Sequence, residues 1–185
     1  MNFRAKFLGK FLPFLLLLVS AAGTINAQDK EKKVRISPMA AVRQTVGLTD
    51  IEIIYSRPGV KGRTIWGDLV PYNIVWRAGA NEATKIIFGG DVIIEGKKIK
   101  AGSYSFFALP GKEEWTLILN KEANQWGAFE YNESQDALRI KVKPTKNEFH
   151  EWLSYTITKT GERTAKIALL WENLKLDFEI IANGN

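Results

Sequence analysis

The chain has 185 residues, with 26 Lys+Arg against 20 Asp+Glu, one histidine and no cysteine. This composition excludes a disulfide framework, a thiolate nucleophile and a cysteine-ligated zinc or iron–sulfur site, and confines any imidazole chemistry to His150. The formal charge of +6 argues for a polyanionic partner only if it sits on the folded domain.

Part of that charge belongs to the N-terminus. Arg4, Lys6 and Lys10 precede the apolar run FLPFLLLLVSAA (11–22), and small residues lead to Ala27. A run of about a dozen apolar residues is shorter than the roughly 20 that span a bilayer, and Pro13 and Ser20 interrupt it. The pattern predicts a cleaved secretory signal over 1–27 and therefore an exported protein, periplasmic or secreted. No cysteine follows the run to carry a lipid anchor. Loss of residues 1–27 leaves 158 residues and removes three basic side chains and no acidic one, lowering the formal charge to +3. A balance of that size on an exported chain predicts neither nucleic-acid binding nor stable membrane insertion. Residues 28–33, QDKEKK, read as a charged, solvated tail.

From Val34 the dominant period is two, and a single domain is expected over 34–183. Ile51, Ile53 and Tyr55, then Leu138, Ile140 and Val142, then Leu174, Leu176, Phe178 and Ile180 alternate with other side chains, as half-buried strands do. Further strands are expected at 84–88, 92–94, 103–109, 115–119, 152–158 and 165–171, where β-branched and aromatic residues gather. Glu95-Gly96, Pro110-Gly111, Thr160-Gly161 and Glu172-Asn173 read as reversals. Only 120–128 and 145–151 offer room for a short helical turn. The whole predicts an all-β chain, an antiparallel β-sandwich or open barrel.

Residues 55–84, YSRPGVKGRTIWGDLVPYNIVWRAGANEAT, break the alternation. A long segment without regular structure but rich in aromatics reads as functional rather than disordered. Arg57, Arg63 and Arg77 have the guanidinium geometry to converge on an anion, with Asn81, Glu82, Trp66 and Trp76 beside them. The competing reading pairs these arginines with Asp50, Asp68, Glu82 or backbone carbonyls, or stacks them on Trp66 and Trp76, so that they only pin the loop. Of the six tryptophans, Trp115, Trp152 and Trp171 share strand phase with apolar neighbours and are expected in the core. Trp66, Trp76 and Trp126 fall in loops, where they serve either as plugs or as groove walls.

The motifs YSRPGVKGR (55–63), WRAGANEAT (76–84), AGSYSFFALPG (101–111), WTLILN (115–120) and the Trp126-Gly127 pair resemble, in order, those of a family of exported bacterial proteins known as domain of unknown function 2911. The resemblance covers essentially all of the chain after the signal. It implies an exported β-rich domain and supplies no catalytic residues, substrate or cofactor.

Other constellations carry less. The segment 90–98, GDVIIEGKK, has the wrong spacing for a phosphate-binding loop and lacks its hydroxyl, so it reads as a hairpin with a solvated lysine rim. Glu113 and Glu114 are adjacent and point to opposite faces if extended, so they cannot flank one bond. Asp91 and Glu95 do not cluster as calcium ligands, and no metal or cofactor is expected. The favoured functional reading is a non-catalytic binding module for a small anionic or carbohydrate-like ligand at the Arg/Trp/Gly-rich loop. The alternatives are a hydrolase or lyase using Glu82 or His150 with arginine as electrostatic stabiliser, and an envelope structural or interaction protein. Oligomeric state is not legible.

Overall fold

A computed structural model of the chain describes residues 33–182. The expected signal and all but the last residue of the expected tail lie outside that range. Ten strands account for almost all of the regular structure: β1 (Met39–Val46), β2 (Thr49–Ser56), β3 (Thr84–Phe88), β4 (Val92–Ile94), β5 (Lys97–Ile99), β6 (Gly102–Leu109), β7 (Trp115–Asn120), β8 (Asp136–Val142), β9 (Thr145–Lys159) and β10 (Thr164–Ala182). They form two antiparallel sheets, a six-stranded one in the order β1-β2-β3-β6-β7-β8 and a four-stranded one in the order β5-β4-β10-β9.

Alternation explains most of these strands. In β2 every second residue from Thr49 is buried while Asp50, Glu52 and Ile54 are half-exposed, the pattern of a strand with one face on a core. The inner faces of the two sheets meet in one apolar cluster, where Phe106 of β6 stacks on Phe178 of β10 with centroids 5.9 Å apart. Strand β6 departs from alternation and is buried from Tyr104 to Ala108. Its outer face is also covered, because Phe107 packs with Ile118 and Ala83 in a second small cluster capped by Val75, Ala128 and Tyr131. The β4–β5 hairpin turns at Glu95 and Gly96 with φ of 46° and 76°, the paired positive values that a two-residue turn with matching twist requires.

Three expectations need correction. Glu172-Asn173 is not a reversal, because β10 runs unbroken through it and the register against β9 shifts there instead. Leu170 faces Ser154, Glu172 faces His150 and Leu174 faces Lys146, so β9 carries extra residues at each step and Glu172 takes φ 55°. Residues 145–151 are strand, and among the described residues the one short helical turn, a 3-10 turn, lies at Glu133–Gln135 rather than within 120–128. Asn132 caps it, its side-chain oxygen accepting from the Ser134 backbone amide. Finally, Trp152 is not a core residue. It falls in the first register shift of β9, remains 38% exposed, and carries Lys61 Nζ 5.8 Å above its ring.

A cationic cleft built on the β9 bulge

The irregular residues of β9 are where the long loop docks. Between β2 and β3 the chain first runs beside Glu151–Leu153, with Val60 N–H donating to Glu151 O at 2.8 Å and Leu153 N–H to Pro58 O at 3.1 Å. Gly59 and Trp152 form an isolated antiparallel bridge. Arg57 Nε donates to Leu153 O at 2.9 Å and the Lys61 amide to Glu151 Oε1 at 2.9 Å. The turn closes on itself through Arg63, whose Nε and Nη2 donate to Val60 O and Gly59 O at 3.1 and 2.5 Å.

The middle of the loop plugs the core. Trp66 sits edge-on to Trp76, Trp115 and Trp171 at 5.9, 5.0 and 5.5 Å, and its Nε1 donates to Glu172 Oε2 at 3.2 Å. Trp76 stacks on Trp171 at 5.8 Å with planes 18° apart. Trp115 and Trp171 are each 1% exposed, so four of the six tryptophans form a single aromatic mass between the sheets and the loop. Glu172, at the register shift, is thus the loop's polar anchor, next in the chain to the Trp171 that packs beneath it.

The last part of the loop arches back toward β3. Trp76 exchanges two backbone hydrogen bonds with Ala108 of β6, and Trp76 Nε1 donates to Gly79 O at 3.1 Å. Ala78 and Asn81 hold positive φ, 50° and 58°, in the region where a side chain is costly. The buried Ala78 carbonyl accepts from Thr84 Oγ1 and Tyr155 Oη, which fixes the arch to both sheets.

Under and beside this arch lies a cleft of about 330 Å³. Four stretches of chain line it: Lys61 and Arg63 from the first turn, Leu69 and Val70 from the middle of the loop, Trp76, Arg77 and Asn81 from the arch, and Ile36 and Ser37 from the segment preceding β1, with Trp171 contributing from β10. That leading segment is clasped in place. Arg35 forms a two-pronged ion pair with Glu82, both bonds at 2.7 Å, and Asn81 Nδ2 donates to Ser37 O at 3.2 Å.

The electrostatics of the cleft follow from what its cations lack. Arg63 and Arg77 donate to backbone carbonyls, Arg77 Nη1 to Asn81 O at 2.8 Å, and neither ion-pairs with a carboxylate among the described residues. Burial lowers the Arg77 pKa from its ordinary value, and its guanidinium lies 5.7 Å from the Phe129 ring. Among the described residues, no aspartate, glutamate or histidine lines the cleft. The cleft therefore gathers three cations, of which Arg77 is the one whose charged form burial disfavours.

The residues singled out by sequence divide accordingly. Arg63, Trp76, Arg77 and Asn81 come together at the cleft. Arg57 and Trp66 lie outside its lining and hold the loop to β9 and to the core. Glu82 is turned to Arg35, which holds its carboxyl below the ordinary glutamate range through the hydrogen bond first and charge second. Asp50, offered as a partner for the loop arginines, pairs with Arg43. His150 is half-buried on β9, its Nδ1 within 2.8 Å of Glu148 O and 3.1 Å of Asn147 Nδ2. Trp126 is 58% exposed beyond the arch, where Glu82 pairs with it in a backbone bridge. Sequence reasoning missed Lys61, Ile36, Ser37 and Trp171 as lining. Only Lys61 was signalled, by its place between Gly59 and Gly62.

A two-sheet antiparallel fold crossed by one long loop carrying a cationic cleft defines the class. The family model described as "Protein of unknown function (DUF2911)" matches residues 37–180, and the chain belongs to that family. The match takes in both sheets and the loop, and that description attaches no activity to them. No curated protein and no solved structure matches the chain.

Proposed function

We propose that this protein is a non-catalytic binding module that takes a small anionic ligand in the cleft between the arch and the segment preceding β1. One observation carries the reading: Lys61, Arg63 and Arg77 line a concave space with no carboxylate among the lining residues to neutralise them. The volume is at the lower end for small-ligand sites, which matches a compact ligand rather than a polymer. The hydrolase or lyase alternative has less support, because Glu82 and His150, its proposed acid–base groups, are both engaged away from the cleft.

Two further proposals complete the reading. The sheets share one core and have no strand in common, which favours a sandwich over an open barrel. The basic, apolar and small-residue order of positions 1–27 supports export, and N-terminal sequencing of the purified native protein should begin at Gln28.

The binding claim is tested by thermal shift and isothermal titration at low salt, with inorganic phosphate, citrate, benzoate and phenyl phosphate as probes. At least one anion should stabilise the wild-type protein in a concentration-dependent way, and an Arg77→Gln variant should lose that shift. A wild-type protein indifferent to all four at millimolar concentration overturns the reading.

A further inference from the structure

The cleft is not simply basic. Ile36 is 79% exposed and Leu69 43% exposed, and both line it alongside Pro58, Val70 and Trp76. Large apolar side chains left uncovered at the mouth of a concave site are surface that a ligand can remove from water. The polar lining is one-sided as well. Lys61, Arg63 and Arg77 are donors only, and each arginine keeps part of its fork unused after the backbone bonds described above. Trp171 Nε1–H, buried below, is one more donor without an acceptor. Among lining side chains, acceptors are confined to the Asn81 amide oxygen and the Ser37 hydroxyl.

That inventory discriminates between ligand classes. A neutral sugar brings several hydroxyl donors, each needing an acceptor once desolvated, and the cleft offers few. It also brings no charge for the cations and little continuous apolar surface for Ile36 and Leu69. An anion without an apolar body, such as phosphate itself, satisfies the cations and leaves those two side chains in water. From this we infer that the ligand is a small amphipathic organic oxyanion, a carboxylate or phosphate monoester on a hydrocarbon or aromatic body. The inference rests on the anion-binding reading above and narrows it. At about 30 Å³ per water, the space holds roughly eleven waters, so a ligand of on the order of ten non-hydrogen atoms fits. The oxyanion meets the arginine forks, and the apolar body lies against Ile36 and Leu69. Ile36 is thereby a specificity residue, contributed by the segment that the Arg35–Glu82 pair and the Asn81–Ser37 bond hold against the arch.

Intrinsic tryptophan fluorescence and calorimetry report binding directly, since Trp76 and Trp171 are part of the lining. Benzoate and phenyl phosphate should bind the wild-type protein about tenfold or more tightly than acetate and inorganic phosphate, and glucose should not bind. Ile36→Ser, an exposed change that leaves the fold alone, should weaken phenyl phosphate roughly three- to tenfold and leave inorganic phosphate unchanged. Glucuronate or inorganic phosphate binding as tightly as phenyl phosphate, or Ile36→Ser weakening both phosphates equally, overturns the amphipathic assignment while anion binding stands. Glucose binding as tightly as phenyl phosphate overturns the assignment too. Absence of binding by every anion overturns both.

Discussion

The Tyr155 hydroxyl donates to the Ala78 carbonyl at 2.7 Å, joining the middle of β9 to the one buried residue of the arch that holds a positive φ. The neighbours of Ala78 in the chain are Arg77 and Gly79, both of the cleft lining. A side chain of one sheet therefore sets the backbone that presents the cleft's most desolvated cation.

Tyr155→Phe removes that bond and keeps the ring, which packs edge-on against Tyr55 at 4.8 Å. The expected cost is about 1–2 kcal/mol, because the Ala78 carbonyl keeps Thr84 Oγ1 as a partner. Burial pushes the Tyr155 hydroxyl well above the usual tyrosine range. A folded pKa above the unfolded one means that the contribution is complete below about pH 10 and is lost as pH rises toward the folded value. Urea unfolding at pH 8 should separate wild type from Tyr155→Phe, and the gap should close toward pH 11. A gap that does not change with pH would contradict this.

Lys61 is the cation of the cleft that least supports the fold: its amide, not its ammonium, anchors the turn to Glu151. Lys61→Gln should leave the unfolding temperature nearly unchanged, since only the contact with the Trp152 ring is lost. Affinity for phenyl phosphate should fall about three- to tenfold, and its dependence on salt should become shallower. Titrations at two ionic strengths test this. Identical salt slopes in the two proteins would place the ammonium outside the binding field.

Most strands were legible from period and turn chemistry because they bury one face, and that signal is local; β1 and β5, which bury few side chains, were not picked out. The register shift between β9 and β10 was not legible. Glu172-Asn173 has the composition of a turn, yet Glu172 hydrogen-bonds the Trp66 indole from a loop 106 positions earlier, a contact that sequence adjacency cannot show. The same long-range packing moved Trp152 out of the core, since the phase argument assumes a regular strand where β9 is irregular. Residue type pointed to Arg63, Arg77, Trp76 and Asn81, which line the cleft, because a cation-rich loop advertises itself. Arg57 carries the same side chain and serves only to dock the loop, a difference made by one backbone carbonyl, that of Leu153.

The Arg35–Glu82 pair gives the wall of the cleft a dependence on acid. Arg35 lowers the Glu82 pKa, so the clasp is present above the ordinary glutamate range and is lost as pH falls through the lowered value. Hydrogen exchange at the Arg57 amide, which donates to Pro38 O at 2.8 Å, should report it. The intrinsic rate of exchange also varies with pH, so protection factors are the quantity to compare. Protection should drop on acidification in the wild-type protein and be low throughout in Glu82→Gln. A variant with wild-type protection at neutral pH would show that the ion pair does not hold the segment.

Gly79 and Gly62 separate two reasons for glycine in the same loop. A Cβ at Gly79 would lie 2.9 Å from Thr84 Oγ1 and 3.1 Å from Ser56 O, and Thr84 Oγ1 is not free to retreat because it is bonded to Ala78 O. Gly79→Ala must therefore shift the arch, at a cost of about 1–3 kcal/mol, and should weaken anion binding with it. At Gly62 the obstacle is conformational alone: φ is 67° and nothing lies within 4 Å of the added atom. Gly62→Ala should cost about 1 kcal/mol from left-handed strain and leave affinity close to wild type, because the arch does not move. Chemical denaturation and a phenyl phosphate titration on both variants give the comparison. If both lose stability alike and both keep binding, the packing of Thr84 and Ser56 against the arch does not shape the cleft.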